Sequence, residues 1–123
     1  ERRFAEIVSG LGLSGLLDRR PGAISGGEAQ RVALGRALLA GTGVLLLDEC
    51  TSALDGDTRE AVGWLVDRER RARGLAVVQV THDLEEARRL ADAIVAMEEG
   101  RLTGVVPRRD RSAIAEPATG GTR

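Results

Sequence analysis

The sequence predicts an α/β fold: a helical segment of about forty residues, then alternating parallel strands and helices, closing on a β-hairpin. Three observations carry the prediction. Val44-Leu45-Leu46-Leu47 and Ala76-Val77-Val78-Gln79-Val80 are apolar runs too short for helices, the pattern of strands buried on both faces of a parallel sheet. Helix-opening Asp-x-x-Glu pairs follow each run, Asp57 with Glu60 and Asp83 with Glu86. Residues 1–40 show helical spacing, interrupted by glycine and by Pro21.

Taken in order, Phe4-Ala5-Glu6-Ile7-Val8 before Gly10 and Gly12 predicts the end of an amphipathic helix with a glycine stop, and 13–18 a short second helix. Arg19-Arg20-Pro21-Gly22 is loop chemistry. Ser25 and Glu28 form an S-x-x-E pair, in which each side chain can bond the other's backbone N–H, so a helix over about 26–40 has a fixed start. Gly41-Thr42-Gly43 ends it. The strand at 44–47 comes next, then a helix capped by Asp57 and stopped by Gly74, the strand at 76–80, and a helix from Asp83 to about residue 90. The runs 93–97 and 101–106 predict strands joined by the tight turn Glu98-Glu99-Gly100. From Pro107 onward periodicity is lost, and 107–123 is expected to be a disordered tail.

Composition narrows the function. A formal net charge of −1 excludes a nucleic-acid-coating surface, and the arginine pairs Arg19-Arg20, Arg70-Arg71 and Arg108-Arg109 lack aromatic neighbours, so no direct nucleic-acid contact is expected. With Phe4 and Trp64 as the only aromatic residues, the core must be aliphatic. All 18 basic residues are arginine, so the 123 residues contain no lysine for a G-x-x-x-x-G-K-[ST] phosphate loop. One cysteine, Cys50, allows no internal disulfide and fits a reducing compartment. The apolar stretch at 37–47 is broken by glycines and is shorter than the ~20 residues that span a bilayer. A chain of this length is one small domain or a piece of a larger one, and its start at Glu1 rather than Met suggests a piece.

The chemistry gathers at three places. Ser25-Gly26-Gly27 opens a helix, where backbone N–H groups unscreened by side chains and the positive end of the helix dipole favour a phosphate. Alone, this would more often be an ordinary cap. Asp48-Glu49 ends the apolar run at 44–47, where one carboxylate can hold a hydrated Mg²⁺ and its neighbour can orient or deprotonate a water. Alone, two acids at a strand end would as often be merely exposed. His82 is the only histidine and follows the strand at 76–80 at its C-terminal end, where α/β sites gather.

In this order and spacing the motifs resemble those of the ATP-binding cassette (ABC) ATPases. Ile24-Ser25-Gly26-Gly27-Glu28-Ala29-Gln30-Arg31 looks like the family's signature motif, with Ile24 where Leu is usual and Glu28 where Gln is commonest. The resemblance implies that Ser25, Gly26, Gly27 and Glu28 face the γ-phosphate of an ATP held by a second nucleotide-binding domain, head to tail. Val44 to Glu49 resembles the Walker B motif, implying Asp48 for Mg²⁺ and Glu49 for the attacking water. Thr51-Ser52-Ala53-Leu54-Asp55 resembles the D-loop that crosses the dimer interface, with Asp55 its key residue. Cys50 stands where the family usually has Pro, and the thiol is expected to pack rather than react. Val80-Thr81-His82-Asp83 resembles the motif of the switch histidine, implying that His82 contacts the γ-phosphate.

The resemblance covers roughly residues 4 to 106 and corresponds to the C-terminal half of one nucleotide-binding domain: 1–40 the end of its helical subdomain, 41–106 the catalytic core of a partial P-loop NTPase. It implies the ATPase subunit of a transporter, with ATP and Mg²⁺ as ligands and transmembrane permease subunits as partners. Its place would be cytoplasmic, peripheral on the inner face of the cell membrane. The lysine loop and the family's metal-sensing glutamine are not found in 1–123, so the chain alone is expected to be inactive. The run Leu84-Glu85-Glu86-Ala87 with Ala91-Asp92-Ala93-Ile94 looks like small-solute importers. Two alternatives stay open: an SMC-like or repair ATPase acting on DNA, and a non-catalytic remnant lending its signature face to a complete partner.

Overall fold

The computed structural model describes residues 1–108. The chain divides into two compact units, Glu1–His82 and Asp83–Arg123, and each carries its own two-stranded sheet.

The first unit begins with α1 (Arg2–Gly10), which buries Ile7 and Val8. It stops where Gly12 takes the left-handed backbone, φ 63°, which costs glycine nothing. The helix expected over 13–18 is a single 3-10 turn, Ser14–Leu16, and a second such turn spans Pro21–Ala23. The flanking glycines and Pro21 leave too few residues for an α-helix to repay its nucleation.

Helix α2 (Gly26–Leu39) starts with the capping box complete in both directions. Its other end is closed by side chains from elsewhere. Arg3 Nη2 and Arg73 Nη1 both donate to the Leu38 carbonyl, the latter at 2.8 Å, and Arg73 Nη2 also reaches the Thr42 carbonyl at 3.4 Å. Cations suit a helix C-terminus, where carbonyls lack intrahelical partners. Gly35 lets α2 approach closely: a Cβ there would lie 3.1 Å from Leu11 Cδ1.

Strand β1 (Val44–Asp48) runs parallel to β2 (Ala76–Val80), in register from Val44 opposite Ala76 to Asp48 opposite Val80. The crossover between them is α3 (Gly56–Arg73), as a parallel pair requires. The cap of α3 corrects the sequence reading. Asp55, not Asp57, is the N-cap: its carboxylate accepts from Thr58 N at 3.0 Å and from Thr58 Oγ1 at 2.8 Å. Thr58 offers both a backbone and a hydroxyl donor, while Glu60 instead accepts from Trp64 Nε1 at 3.3 Å. Asp57 falls within the first turn, where negative charge suits the helix dipole. Further along, Arg70 and Arg71 both engage Asp67, at 2.9 and 2.8 Å.

The core is aliphatic, as the composition requires. Ile7, Val8, Leu11, Leu13, Leu34, Leu38, Leu45, Leu47, Leu54, Val62, Leu65 and Val66 form one cluster, with Cys50 packed at its margin. Phe4 and Trp64 are exposed. The sheet is covered on one face only, which corrects the expectation of strands buried on both. Leu45 and Leu47 point into the core, whereas Val44, Leu46, Val78 and Val80 are exposed, Leu46 at 74%. Side chains alternate along a strand, and the helices of this unit lie against the Leu45–Leu47 side.

The second unit holds α4 (Leu84–Leu90), with Asp83 as cap, its carboxylate accepting from Glu86 N at 3.0 Å. Strands β3 (Ala93–Glu98) and β4 (Arg101–Pro107) form the expected antiparallel hairpin. Its turn residues Glu99 and Gly100 have φ of 47° and 76°, the positive pair that a two-residue type I′ turn needs. A bulge sets Thr103 between Leu102, opposite Met97, and Gly104, opposite Ala96. Arg108 N donates to the Asp92 carbonyl at 2.8 Å. Beyond Arg108, the tail expected over 107–123 lies outside the described residues. Among the described residues no helix is long and apolar enough to cross a membrane.

Candidate functional site

The turn that opens α2 is built locally. Ser25 Oγ accepts from Glu28 N at 3.2 Å, and Ser25 N donates to Glu28 Oε2 at 2.7 Å. The bond from the Ser25 backbone N–H, followed by the Ser25 side chain, holds the Glu28 carboxyl below its ordinary 4.5. The N–H groups of Gly26 and Gly27 belong to the first helical turn and have no acceptor inside the helix. Nothing lies within 4 Å of where a Gly26 Cβ would be, so an anion can approach that backbone closely.

Gly27 has a different surrounding. A Cβ there would stand 3.5 Å from the Ala53 carbonyl oxygen and 3.8 Å from Leu54 Cδ2. The structure thus brings the signature-like turn and the turn at 51–55 together. That second turn buries Thr51 and Leu54 and closes with Asp55, whose carboxyl is held below its ordinary 3.8, first by the Thr58 backbone N–H and then by the Thr58 hydroxyl. The sequence reading missed Arg59. Its guanidinium reaches back to the same turn, Nη2 to the Leu54 carbonyl at 3.1 Å and Nε to the Thr51 carbonyl at 3.4 Å. The available signal was its place four residues after Asp55, one helical turn along α3.

The carboxylates at the tip of β1 form a second group. Asp48 ends the strand on its exposed face. Glu49 follows with φ 46°, a left-handed conformation uncommon for a residue with a Cβ. Its N–H continues the parallel ladder by donating to the Val80 carbonyl at 3.0 Å, and its carbonyl accepts from Ser52 N at 3.1 Å. His82 Nδ1 stands 3.5 Å from Glu49 Oε1, with the two side chains 76% and 51% exposed. The geometry therefore brings His82 to Glu49, residues far apart in the chain.

Among the described residues no cluster of three or more His, Cys, Asp or Glu side chains is arranged to hold a metal ion. Mg²⁺ needs no such cage, since it is commonly bound through one or two carboxylates with phosphate oxygens and water completing the shell. The hard oxygen donors of Asp48 and Glu49 fit that requirement.

Residues 1–52 match the family described as ABC transporter. The molybdenum import ATP-binding protein ModC of Brucella abortus is 48% identical over 102 residues, covering 83% of this chain and 28% of that protein. The ModC 2 protein of Bradyrhizobium diazoefficiens is 45% identical over 104 residues, 85% of this chain and 12% of that one. Among solved structures, the dimeric ATP-binding cassette MJ0796, in a post-hydrolysis state bound to ADP and Pi, superposes with a TM-score of 0.79 at 32% identity, over 88% of this chain and 47% of that chain. The present chain thus spans less than half the length of the relatives it matches. The motif order, the parallel strands with their crossover helix and these similarities agree: the chain belongs to the ATP-binding cassette family.

Proposed function

We propose that the protein acts as the ATP-hydrolysing subunit of an ABC transporter, dimerising head to tail with a second nucleotide-binding domain and driving transmembrane permease subunits from the inner face of the cell membrane. In this reading 1–40 is the end of the helical subdomain and 41–106 the catalytic core. The observation that carries it is the pairing of surfaces within one unit: the α2 turn against 51–55, and Glu49 beside His82. Import of molybdenum is the transport reaction we propose, on the likeness to relatives named for it.

Each residue has a part. Ser25, Gly26 and Gly27 present backbone N–H groups and a hydroxyl to the terminal phosphate of the partner's ATP, where the helix dipole favours the charge. Glu28 fixes that turn through Ser25, and Asp55 fixes the neighbouring one at the dimer boundary. Asp48 would hold Mg²⁺, which would supply positive charge to offset that on the reacting phosphate. Glu49 orients the attacking water and accepts its proton. His82, beside Glu49, contacts the same terminal phosphate. Without a lysine, the 123-residue chain has no lysine loop to cradle phosphates and does not hydrolyse ATP alone.

A direct test joins this chain to an upstream segment bearing a lysine loop and measures ATP turnover. The joined protein should hydrolyse ATP, and Glu49→Gln should reduce kcat by at least 100-fold while ATP binding survives, on the order of magnitude seen for removing a general base. Failure of the joined protein to bind ATP, or full activity in Glu49→Gln, would sink the assignment. A second reading rests on the self-capped turn at the start of α2 alone, a chain that lends its signature face to a complete cassette. Stimulation of such a cassette by the 123-residue chain alone would distinguish the two.

A further inference from the structure

The turn at 51–54 contains neither proline nor glycine, and its backbone bonds include Ser52 N to the Glu49 carbonyl and Leu54 N to the Thr51 carbonyl, both at 3.1 Å. Two helices contact it. The Ala53 carbonyl and the Leu54 side chain rest against Gly27 of α2, close enough that a Cβ at Gly27 would be in van der Waals contact with both. Arg59 spans the carbonyls of Thr51 and Leu54, the first and last residues of the turn.

A guanidinium suits this task. Its donors lie in a rigid plane and can engage two acceptors at once, whereas a lysine ammonium is a single point on a flexible stem. Arg59 is itself anchored on the first turn of α3, whose start is fixed by Asp55 and Thr58. The turn is therefore held by contacts from the starts of both α2 and α3.

We propose that Arg59 is a positioning residue: it holds the 51–54 turn against Gly27, so that the signature turn and the Asp55 turn meet a partner domain as one rigid surface. The catalytic consequence rests on the function proposed above; the clamping does not. If two loops must both contact one nucleotide across an interface, their relative placement has to be kept within about an ångström, since misplacements of that size can cost as much as 100-fold in rate.

Two measurements on the 123-residue chain test this. The first is amide hydrogen exchange at Ser52 and Leu54. Arg59→Ala should speed exchange at both by about tenfold or more, Arg59→Lys by less, with the amides of α1 and of β1–β2 unchanged. Unchanged exchange at Ser52 and Leu54 overturns the proposal whatever the protein does, and so does a general acceleration, which would make Arg59 an ordinary stabilising residue. The second uses the Brucella molybdenum import relative as a complete cassette, its own signature turn inactivated, and reads the ATP turnover restored by adding this chain. Arg59→Ala should lower kcat about tenfold with KM for ATP unaltered, and Arg59→Lys should recover part of the loss. A normal kcat in Arg59→Ala overturns the catalytic part. Gly26→Asp is the control for the function itself: if it leaves turnover intact, or the wild-type chain restores none, the proposed function fails, while the exchange result still decides the role of Arg59.

Discussion

The two halves of the candidate site are held in different ways. At the start of α2 and of α3, the capping side chains find their partners within three residues: Ser25 with Glu28, Asp55 with Thr58. Glu49 at the tip of β1 and His82 after β2 are exposed and stand 3.5 Å apart, and the Glu49 backbone lies in the left-handed region. The first half is preorganised by short-range hydrogen bonds at the two helix starts, with Arg59 bonding the 51–54 turn between them. The second has its backbone set by the ladder, while its side chains meet only at 3.5 Å and are largely exposed. A surface presented to a partner is useful when rigid; carboxylates that must follow a reacting phosphate are useful when they can still move.

The contrast extends to the packing beneath each half, and the largest predicted effect tests it there. Leu38, on the helix that carries the signature turn, is fully buried, whereas Leu46, next to the Asp48-Glu49 tip, is 74% exposed. Leu38→Ala should cost about 2–5 kcal/mol in urea unfolding, enough to unfold a marginal domain. Leu46→Ala should change stability by less than about 0.5 kcal/mol. A large loss from Leu46→Ala would mean that its face is covered in solution, and the difference between the halves would shrink.

Next in size is Ser25→Ala. It removes the acceptor for Glu28 N and should cost about 1 kcal/mol. The Glu28 carboxylate can still accept from the residue 25 N–H, so the loss should be partial and helix α2 should keep its start by circular dichroism. If Ser25→Ala left stability untouched, the claim that this turn is locally self-sufficient would fail.

Acid titration gives a smaller effect with a definite sign. Both Glu28 and Asp55 have native pKa values below their ordinary 4.5 and 3.8 because hydrogen bonds favour the charged form. Their contribution is therefore complete above those ordinary values and is lost as pH falls through the lower native ones. Stability measured downward from pH 5 should decline, and Glu28→Gln should make the decline shallower. A steeper acid limb in Glu28→Gln would reverse the assignment.

How legible each half was in the sequence follows the same physics. The Ser25–Glu28 box could be read because its partners are three residues apart and one hydrogen-bond pattern specifies both. The same rule misplaced the start of α3, because Asp55 and Asp57 both precede a candidate partner and only the fold reveals that Thr58 supplies two donors to Asp55. The strands were visible as apolar runs, but a run says that both faces are apolar and not what covers each; Leu46 and Val78 remain open. Arg59 escaped because a long side chain chooses its acceptors in space, and the left-handed Glu49 escaped because no glycine marks it.

Glu49 provides the smallest predicted effect and the sharpest test of the contrast. A non-glycine residue at φ 46° carries a cost of roughly 1–2 kcal/mol relative to a right-handed one. Glycine would relieve that cost but would bring more freedom in the unfolded chain, which takes back about 0.4–1 kcal/mol. Because the Glu49 side chain is half exposed and its approach to His82 is long, little favourable contact is lost with it. Glu49→Gly should therefore leave stability unchanged or raise it by up to about 1 kcal/mol, while Glu49→Gln, which keeps the strain and removes the charge, should stay within about 0.5 kcal/mol of the native chain. Urea unfolding of both variants side by side separates strain from charge. A clear destabilisation by Glu49→Gly and Glu49→Gln alike would mean that the carboxylate and His82 brace the strand tip. The strand-tip half would then be as preorganised as the half at the starts of α2 and α3.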